Sequence, residues 1–263
     1  GAADAVGAAS TVGSTRWFGL NPHPSVFVLG ARDGGGDALG EILLSQPRVC
    51  GGPLRFFDDD NRFAGGLTPV TTRYVRRAGK GPGGKRQGAA GAVCSTLVDT
   101  SAYLHTRWAP ARIASALATR RPVPKFVVVL SDPVDRAVRH WRSINAALLR
   151  APGGPRGLGG GERAQMAAYT NGTTLTRKVR SEANDIGECF RSRASKAAGG
   201  GATGGLEVDT WQACTTRACN WIECILGAGL YAPQMRHWLR HFGADRFVLL
   251  EEEQLRSQPE WVA

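Results

Sequence analysis

Short apolar runs alternate along this chain with stretches whose apolar residues recur at helical spacing. Ser25-Val-Phe-Val-Leu29 predicts a buried strand and Gly30 to Gly36 a tight loop. Asp37 is placed to cap a helix that runs to about Ser45, with Ala38, Leu39, Ile42 and Leu43 on one face and Pro47 as its stop. A second unit repeats the pattern. Lys125-Phe-Val-Val-Val-Leu130, rich in β-branched residues, predicts a central parallel strand. Asp132 and Pro133 then supply an N-cap and a first helical position. That helix runs to about Arg150, with Val134, Val138, Trp141, Asn145 and Leu148 along one stripe.

Thr96 to Val98 predicts another strand, and Pro110 to Leu117 a helix. Trp211 to Leu226 and Ala232 to Phe242 read as helices, and Arg246 to Leu250 as the last strand. Residues 76–92, 151–161 and 195–205, dense in Gly with Lys, Arg, Pro or Ala, read as surface insertions. The alternation predicts an α/β domain, a parallel sheet with helices on both faces. Residues 1–24 form a loose lead-in and 25–263 the domain. The chain opens on Gly1, so it reads as a piece whose native N-terminus, with any signal or anchor, lies outside it.

Composition adds charge to this picture. Lys plus Arg exceed Asp plus Glu by 33 to 22, a net charge of +11, which suits polyanionic partners such as phosphate-bearing nucleotides or acidic glycans. Nucleic acid fits the charge, but no nucleic-acid-binding motif accompanies it. The six cysteines contain no CxxC pair, which argues against a zinc site, and no metal is expected. Asn171-Gly172-Thr173 is an N-glycosylation sequon. With one or two disulfides expected among Cys189, Cys214, Cys219 and Cys224, it points to a secretory, lumenal location.

The turn Gly30-Ala-Arg-Asp-Gly-Gly-Gly-Asp-Ala-Leu39 carries the candidate chemistry. Glycines let backbone amides approach an anion, and the helix that follows offers unpaired N–H groups and a partial positive charge. A nucleotide triphosphatase loop needs Lys and then Ser or Thr where this chain has Gly36 and Asp37. A dinucleotide fingerprint begun at Gly34 needs a small residue where Leu39 stands. A flexible linker between strand and helix remains open on this segment alone.

The order Pro24 to Leu39, then Phe56-Phe-Asp58, resembles the opening of the heparan sulfate sulfotransferases, especially the 3-O-sulfotransferase type and algal carbohydrate sulfotransferase-like proteins. Asp99-Thr-Ser-Ala-Tyr103 is similar to the family's Thr-Pro-x-Tyr segment. Leu130-Ser-Asp-Pro-Val-Asp-Arg136 resembles its Leu-Arg-Asp-Pro-x-x-Arg. Gly229-Leu-Tyr231, Trp238 to Phe242 and Phe247 to Glu252 resemble its late helix–strand pair. The resemblance implies a P-loop-type fold and 3′-phosphoadenosine 5′-phosphosulfate (PAPS) as donor. It further implies sulfo transfer to a carbohydrate in the Golgi lumen or secretory pathway, with membrane attachment only through an anchor outside this sequence. It also implies that the family's C-terminal part continues beyond residue 263.

In such enzymes a loop Lys neutralises the leaving phosphate, an acidic residue ahead of Phe-Phe-Asp takes the acceptor proton, and an Arg and a Ser hold the 3′-phosphate. Here those places hold Asp33, Pro53, Ser131 and Arg139, and Gly36 replaces the Ser or Thr of the loop. Lys to Asp exchanges an attraction of up to about 4 kcal/mol at about 4 Å for a comparable repulsion. A helix N-terminus returns only about 0.3–2 kcal/mol. Arg32 can stand in for the Lys if its guanidinium turns inward, and Arg139 for the missing Arg, because a Ser/Arg exchange keeps one cation there. The candidate donor-binding set is therefore Arg32, Gly34, Gly35, Gly36, Asp37 and Ala38 on the loop, with Ser131 and Arg139 across from it. No residue is assigned as base: Asp58, Asp59 and Asp60 read as a solvated or capping turn and His105 as structural. The alternative to an active enzyme is a degenerate relative that binds nucleotide or acidic glycan without turnover.

Overall fold

The computed structural model describes residues 24–46, 49–53, 56–57, 63–64, 95–100, 103–117, 123–150, 160–198, 210, 213–215 and 225–258. Five strands, β1 (Val26–Gly30), β2 (Val49–Pro53), β3 (Ser95–Thr100), β4 (Lys125–Leu130) and β5 (Phe247–Glu251), form one sheet in the order β2-β3-β1-β4-β5. Every pairing is parallel. The α/β architecture expected from the sequence holds, and all five C-terminal strand ends share one edge. The chain leaves β1 for β2 on one side and later places β4 on the other, so the loop after β1 sits at a crevice where the winding reverses.

Alternation within the central strands feeds two cores. Phe27 and Leu29 of β1 and Phe126 and Val128 of β4 face one side. There they meet Ile113 and Leu117 of α2 (Ala109–Leu117) and Trp238 of α6 (Tyr231–Leu239). Val28 and Val129 face the other side, under Leu39 of α1 (Gly36–Ser45). Trp238 is fully buried, its ring against Phe126 and its indole N–H donating to the Leu104 carbonyl at 3.1 Å. Buried Tyr103 receives the amides of Phe56 and Phe57 on its hydroxyl, at 3.1 and 3.2 Å, and thereby pins the Phe-Phe segment beneath the sheet edge.

Several expectations need correction. The first helix is capped by Gly35 in a left-handed conformation, and Asp37 lies exposed inside the first turn, so Asp37 is not the cap. Asp132 does cap α3 (Pro133–Leu149), accepting from the amides of Val134 and Asp135 at 2.8 and 3.0 Å. The buried face of α3 carries Arg136, His140 and Ile144, whereas Val134, assigned to the stripe, is 68% exposed. The helix turns Arg136 and His140, not Val134, toward the β1–α1 loop.

Strand β2 and helices α4 (Gly160–Thr170) and α5 (Leu175–Ala198) were not anticipated. Glu182 interrupts the stripe of α5, whose buried positions Glu182, Ile186 and Cys189 otherwise follow helical spacing. That buried carboxylate accepts from the Tyr169 hydroxyl and from the amides of Ile225 and Leu226, the latter two at 3.2 and 2.7 Å. Cys189 and Cys214 form a disulfide, one of the pairings left open by the sequence. Residues 76–92, 151–159 and 199–205, Asp58 to Asp60, Cys219, Cys224 and most of Trp211 to Leu226 lie outside the described residues. Residues 160–161 and 195–198, assigned to loops, belong instead to α4 and α5.

Candidate functional site

The β1–α1 turn is held by its own backbone and by α3. The Gly34 amide donates to the Ala31 carbonyl at 2.9 Å, Asp33 takes a φ of 60°, and Gly35 takes a φ of 90° before α1 begins at Gly36. A side chain at Gly34 would strike the Ala31 carbonyl oxygen at 2.8 Å, so the tight return requires glycine there. From below, Arg136 of α3 donates to the Arg32 carbonyl at 3.3 Å and to the Ile225 carbonyl. His140, one helical turn further, places Nδ1 at 2.6 Å from the Asp33 carboxylate. Arg136 and His140 thus hold the turn by its backbone and by its one acidic side chain.

Burial pushes the His140 imidazole below its ordinary 6.5, against the pull of Asp33. Burial also pushes the Asp33 carboxyl up, but the hydrogen bond from His140, with the Arg32 charge and Ser143 behind it, holds it below its ordinary 3.8. An imidazole with almost no solvent contact resists charging. The pair is accordingly a neutral His140 donating Nδ1–H to an ionised Asp33. Burial lowers the Arg136 guanidinium below its ordinary range, opposed by Tyr231, Asp33, Glu182 and Tyr169.

Each candidate residue has a definite place. Arg32 is half-buried and close enough for its charge to act on both Asp33 and His140. Gly34 and Gly36 are buried, Gly35 caps α1, and Asp37 and Ala38 lie exposed in its first turn. Ser131 follows β4 and lies against the turn, its Oγ 3.4 Å from where a Cβ of Gly34 would stand. Only 8% of Ser131 is exposed, and its hydroxyl has no hydrogen-bond partner. Arg139 is not free: its two terminal nitrogens clasp the Glu252 carboxylate at 2.6 and 2.5 Å.

Glu252 opens α7 (Glu252–Ser257) directly after β5, and Arg256 one turn later also donates to it, at 2.8 Å. A cavity of about 440 Å³ lies beside this clasp, walled by Ser131, Asp132, Pro133, Asp135, Arg139, Tyr231, Arg256 and Glu251 to Glu253. The sequence reading missed Glu252, Arg256 and His140. A usable signal existed for Glu252, because the Glu251-Glu252-Glu253 run ends the last strand, and parallel strand ends converge on one edge. His140 gave no such signal, since only packing turned the polar face of α3 inward.

The arrangement partly fits a phosphorylated nucleotide. Backbone amides at the start of α1, an orphaned buried hydroxyl and nearby arginines suit an anion. The ionised Asp33 in the same turn opposes one. At the sheet edge, Pro53 ends β2 opposite Asp99 of β3 and offers no titratable group.

No family model matches the chain. It is 26% identical over 243 residues to human heparan sulfate glucosamine 3-O-sulfotransferase 3B1, covering 92% of this chain and 44% of that protein. The human 3A1 form gives the same identity over 42% of its length, and human heparan sulfate glucosamine 3-O-sulfotransferase 6 gives 26% over 50% of its length. The chain thus spans half the length, or less, of these curated relatives. The crystal structure of a sulfotransferase from Alicyclobacillus acidocaldarius superposes with a TM-score of 0.51 at 18% identity, over 91% of this chain and 78% of that one, a likeness of fold. The resemblance to heparan sulfate sulfotransferases carried by the ordered motifs is borne out by these relatives.

Proposed function

We propose that this domain is a sulfotransferase that takes PAPS at the β1–α1 turn and passes its sulfo group to a carbohydrate acceptor. One observation carries the reading: the glycine turn lies at the carboxyl edge of a parallel sheet, with the unpartnered Ser131 hydroxyl beside it. The relatives, heparan sulfate glucosamine 3-O-sulfotransferases, favour a glycan acceptor.

On this reading the amides from Gly35 to Ala38 receive the 5′-phosphate end of the nucleotide, Gly34 giving its own amide to the Ala31 carbonyl, with Arg32 and the α1 N-terminus balancing the charge. Ser131 and Arg139 serve the 3′-phosphate, and the adjoining cavity of about 440 Å³ is within the size range of small-molecule sites. The donor supplies the sulfo group and a phosphate leaving group. The acceptor oxygen bonds to sulfur as the sulfur–oxygen bond to phosphate breaks, and the hydroxyl proton passes to a base. No described side chain is assigned to that last task. A secretory location agrees with the Cys189–Cys214 disulfide and with the exposed Asn171 of the sequon.

A second reading, nucleotide or acidic-glycan binding without turnover, is favoured by a specific observation. The turn carries the ionised Asp33, tied to His140, and the place of the family's catalytic acid is Pro53. A radiolabelled donor assay on a glycan panel, paired with calorimetry using adenosine 3′,5′-bisphosphate, separates the two. Transfer supports the enzyme, and binding without transfer supports the second reading. Neither binding nor transfer rejects a nucleotide site altogether.

A further inference from the structure

Glu252 stands where the nucleotide reading needs open space. Its Cγ and carboxyl carbon lie 2.8 and 3.3 Å from where a Cβ of Gly35 would project, so the side chain rests directly on the residue that caps α1. Beyond Gly35 it lines the cavity, whose walls include no residue of the glycine turn. Glu252, together with Ser131, therefore stands between the turn and the cavity. The same carboxylate takes both terminal nitrogens of Arg139 and one of Arg256, cations a bound phosphate would use. Two parallel charge-assisted contacts are the geometry by which a guanidinium also grips phosphate. Meanwhile the Ser131 hydroxyl, on the cavity wall, is left without a partner. A polar atom buried unpaired is costly unless a ligand completes it.

We propose that Glu252 is an internal anion that latches this site: it substitutes for a ligand phosphate on Arg139 and Arg256 and walls the glycine turn off from the cavity. A phosphorylated ligand then binds across both halves only when the Glu252 side chain swings away, releasing the two arginines to it. The inference rests on the nucleotide reading for the identity of the ligand, but the latch itself concerns any di-anion of phosphate chemistry. Glu252 is the first residue of α7, a helix ending at Ser257, and departs from β5 rather than from the sheet interior.

The test is calorimetric binding of inorganic pyrophosphate and of adenosine 3′,5′-bisphosphate to the wild-type chain, Glu252→Gln and Glu252→Ala. Thermal melts accompany each protein. Gln keeps the volume and can still accept from Arg139, so Glu252→Gln decides the matter if Glu252→Ala does not fold. The latch predicts that pyrophosphate binds the variants at least about tenfold more tightly than wild type, as expected when a competing charge leaves the two arginines. Equal or weaker pyrophosphate binding by the variants overturns it, as does a failure of pyrophosphate to bind any of the three proteins. Tighter pyrophosphate binding with no binding of the nucleotide sustains the latch and rejects the nucleotide reading. Tightening of both sustains both.

Discussion

Replacing Asp33 by Asn isolates the charge in the glycine turn. Asn tolerates the left-handed backbone at least as well as Asp, so the φ of 60° introduces no new strain. Its side-chain oxygen can still accept from His140 Nδ1, now without a negative charge. A hydrogen bond to a charged group contributes about 1.5–3 kcal/mol and a neutral one about 0.5–1.5, so the expected loss is about 1–1.5 kcal/mol. The carboxylate retains some solvent contact, which places the loss toward the lower end. At roughly 2–4 °C per kcal/mol for a domain of this size, the melting temperature should fall by about 2–6 °C.

Urea unfolding at about pH 7.5 measures the difference directly, with the slope expected to stay constant. The sign of the pH dependence is fixed by the lowered pKa. The folded state holds Asp33 below its ordinary 3.8, so the unfolded chain takes up the proton first as acid is added. The advantage of wild type over Asp33→Asn is therefore complete above the ordinary value and shrinks as pH falls through the lowered one. His140 contributes with the same sign in a higher window. Kept below its ordinary 6.5, it makes wild type lose stability as pH falls from neutral toward its lowered value. Asn at position 33 matching wild type within about 0.5 kcal/mol at neutral pH would refute the assigned pairing of ionised carboxylate and neutral imidazole.

Three further outcomes follow from the same structure. Ser131→Ala removes a hydroxyl that has no partner, so stability should stay within about 0.5 kcal/mol of wild type while affinity for adenosine 3′,5′-bisphosphate falls several-fold. Destabilisation beyond that, with affinity unchanged, would mean that the hydroxyl serves the fold. Glu182→Gln leaves only one acceptor oxygen where the carboxylate serves Tyr169, Ile225 and Leu226. It should cost about 1–3 kcal/mol in urea unfolding, and no loss would show that those amides find other acceptors. Cys189→Ser opens a link spanning 25 residues, for which chain entropy gives about 3–4 kcal/mol. Thermal melts of wild type with and without reductant should show a matching fall, and coincident melts would mean that the bond adds no stability.

The strands at 26–30 and 125–130, the helices that follow them and the last strand were legible in the residues themselves. Lys125 to Leu130, with Asp132 and Pro133 after it, encodes a strand end and a helix start within a few positions, and the structure follows both. The glycine turn was equally plain, because only a chain lacking side chains there can return so tightly. Local signals failed where a polar residue is buried. Arg136, His140 and Glu182 carry no local sign of burial, yet each satisfies backbone or carboxylate partners far away in sequence. Such partnerships have no period and no local propensity, so they come into existence only when strands and helices are packed.

Hydrophobic period, caps and glycines act over a few residues, and they suffice to specify a parallel α/β domain with an amide-lined turn after its first strand. The surroundings of that turn arise only from packing. Asp33 is tied down by His140, Ser131 is left with a spare hydroxyl, and Arg139 is held by a glutamate from the far end of the chain. Residues 139 and 252 meet because β4 and β5 lie side by side and end on the same edge, a consequence of strand order rather than of either segment's composition.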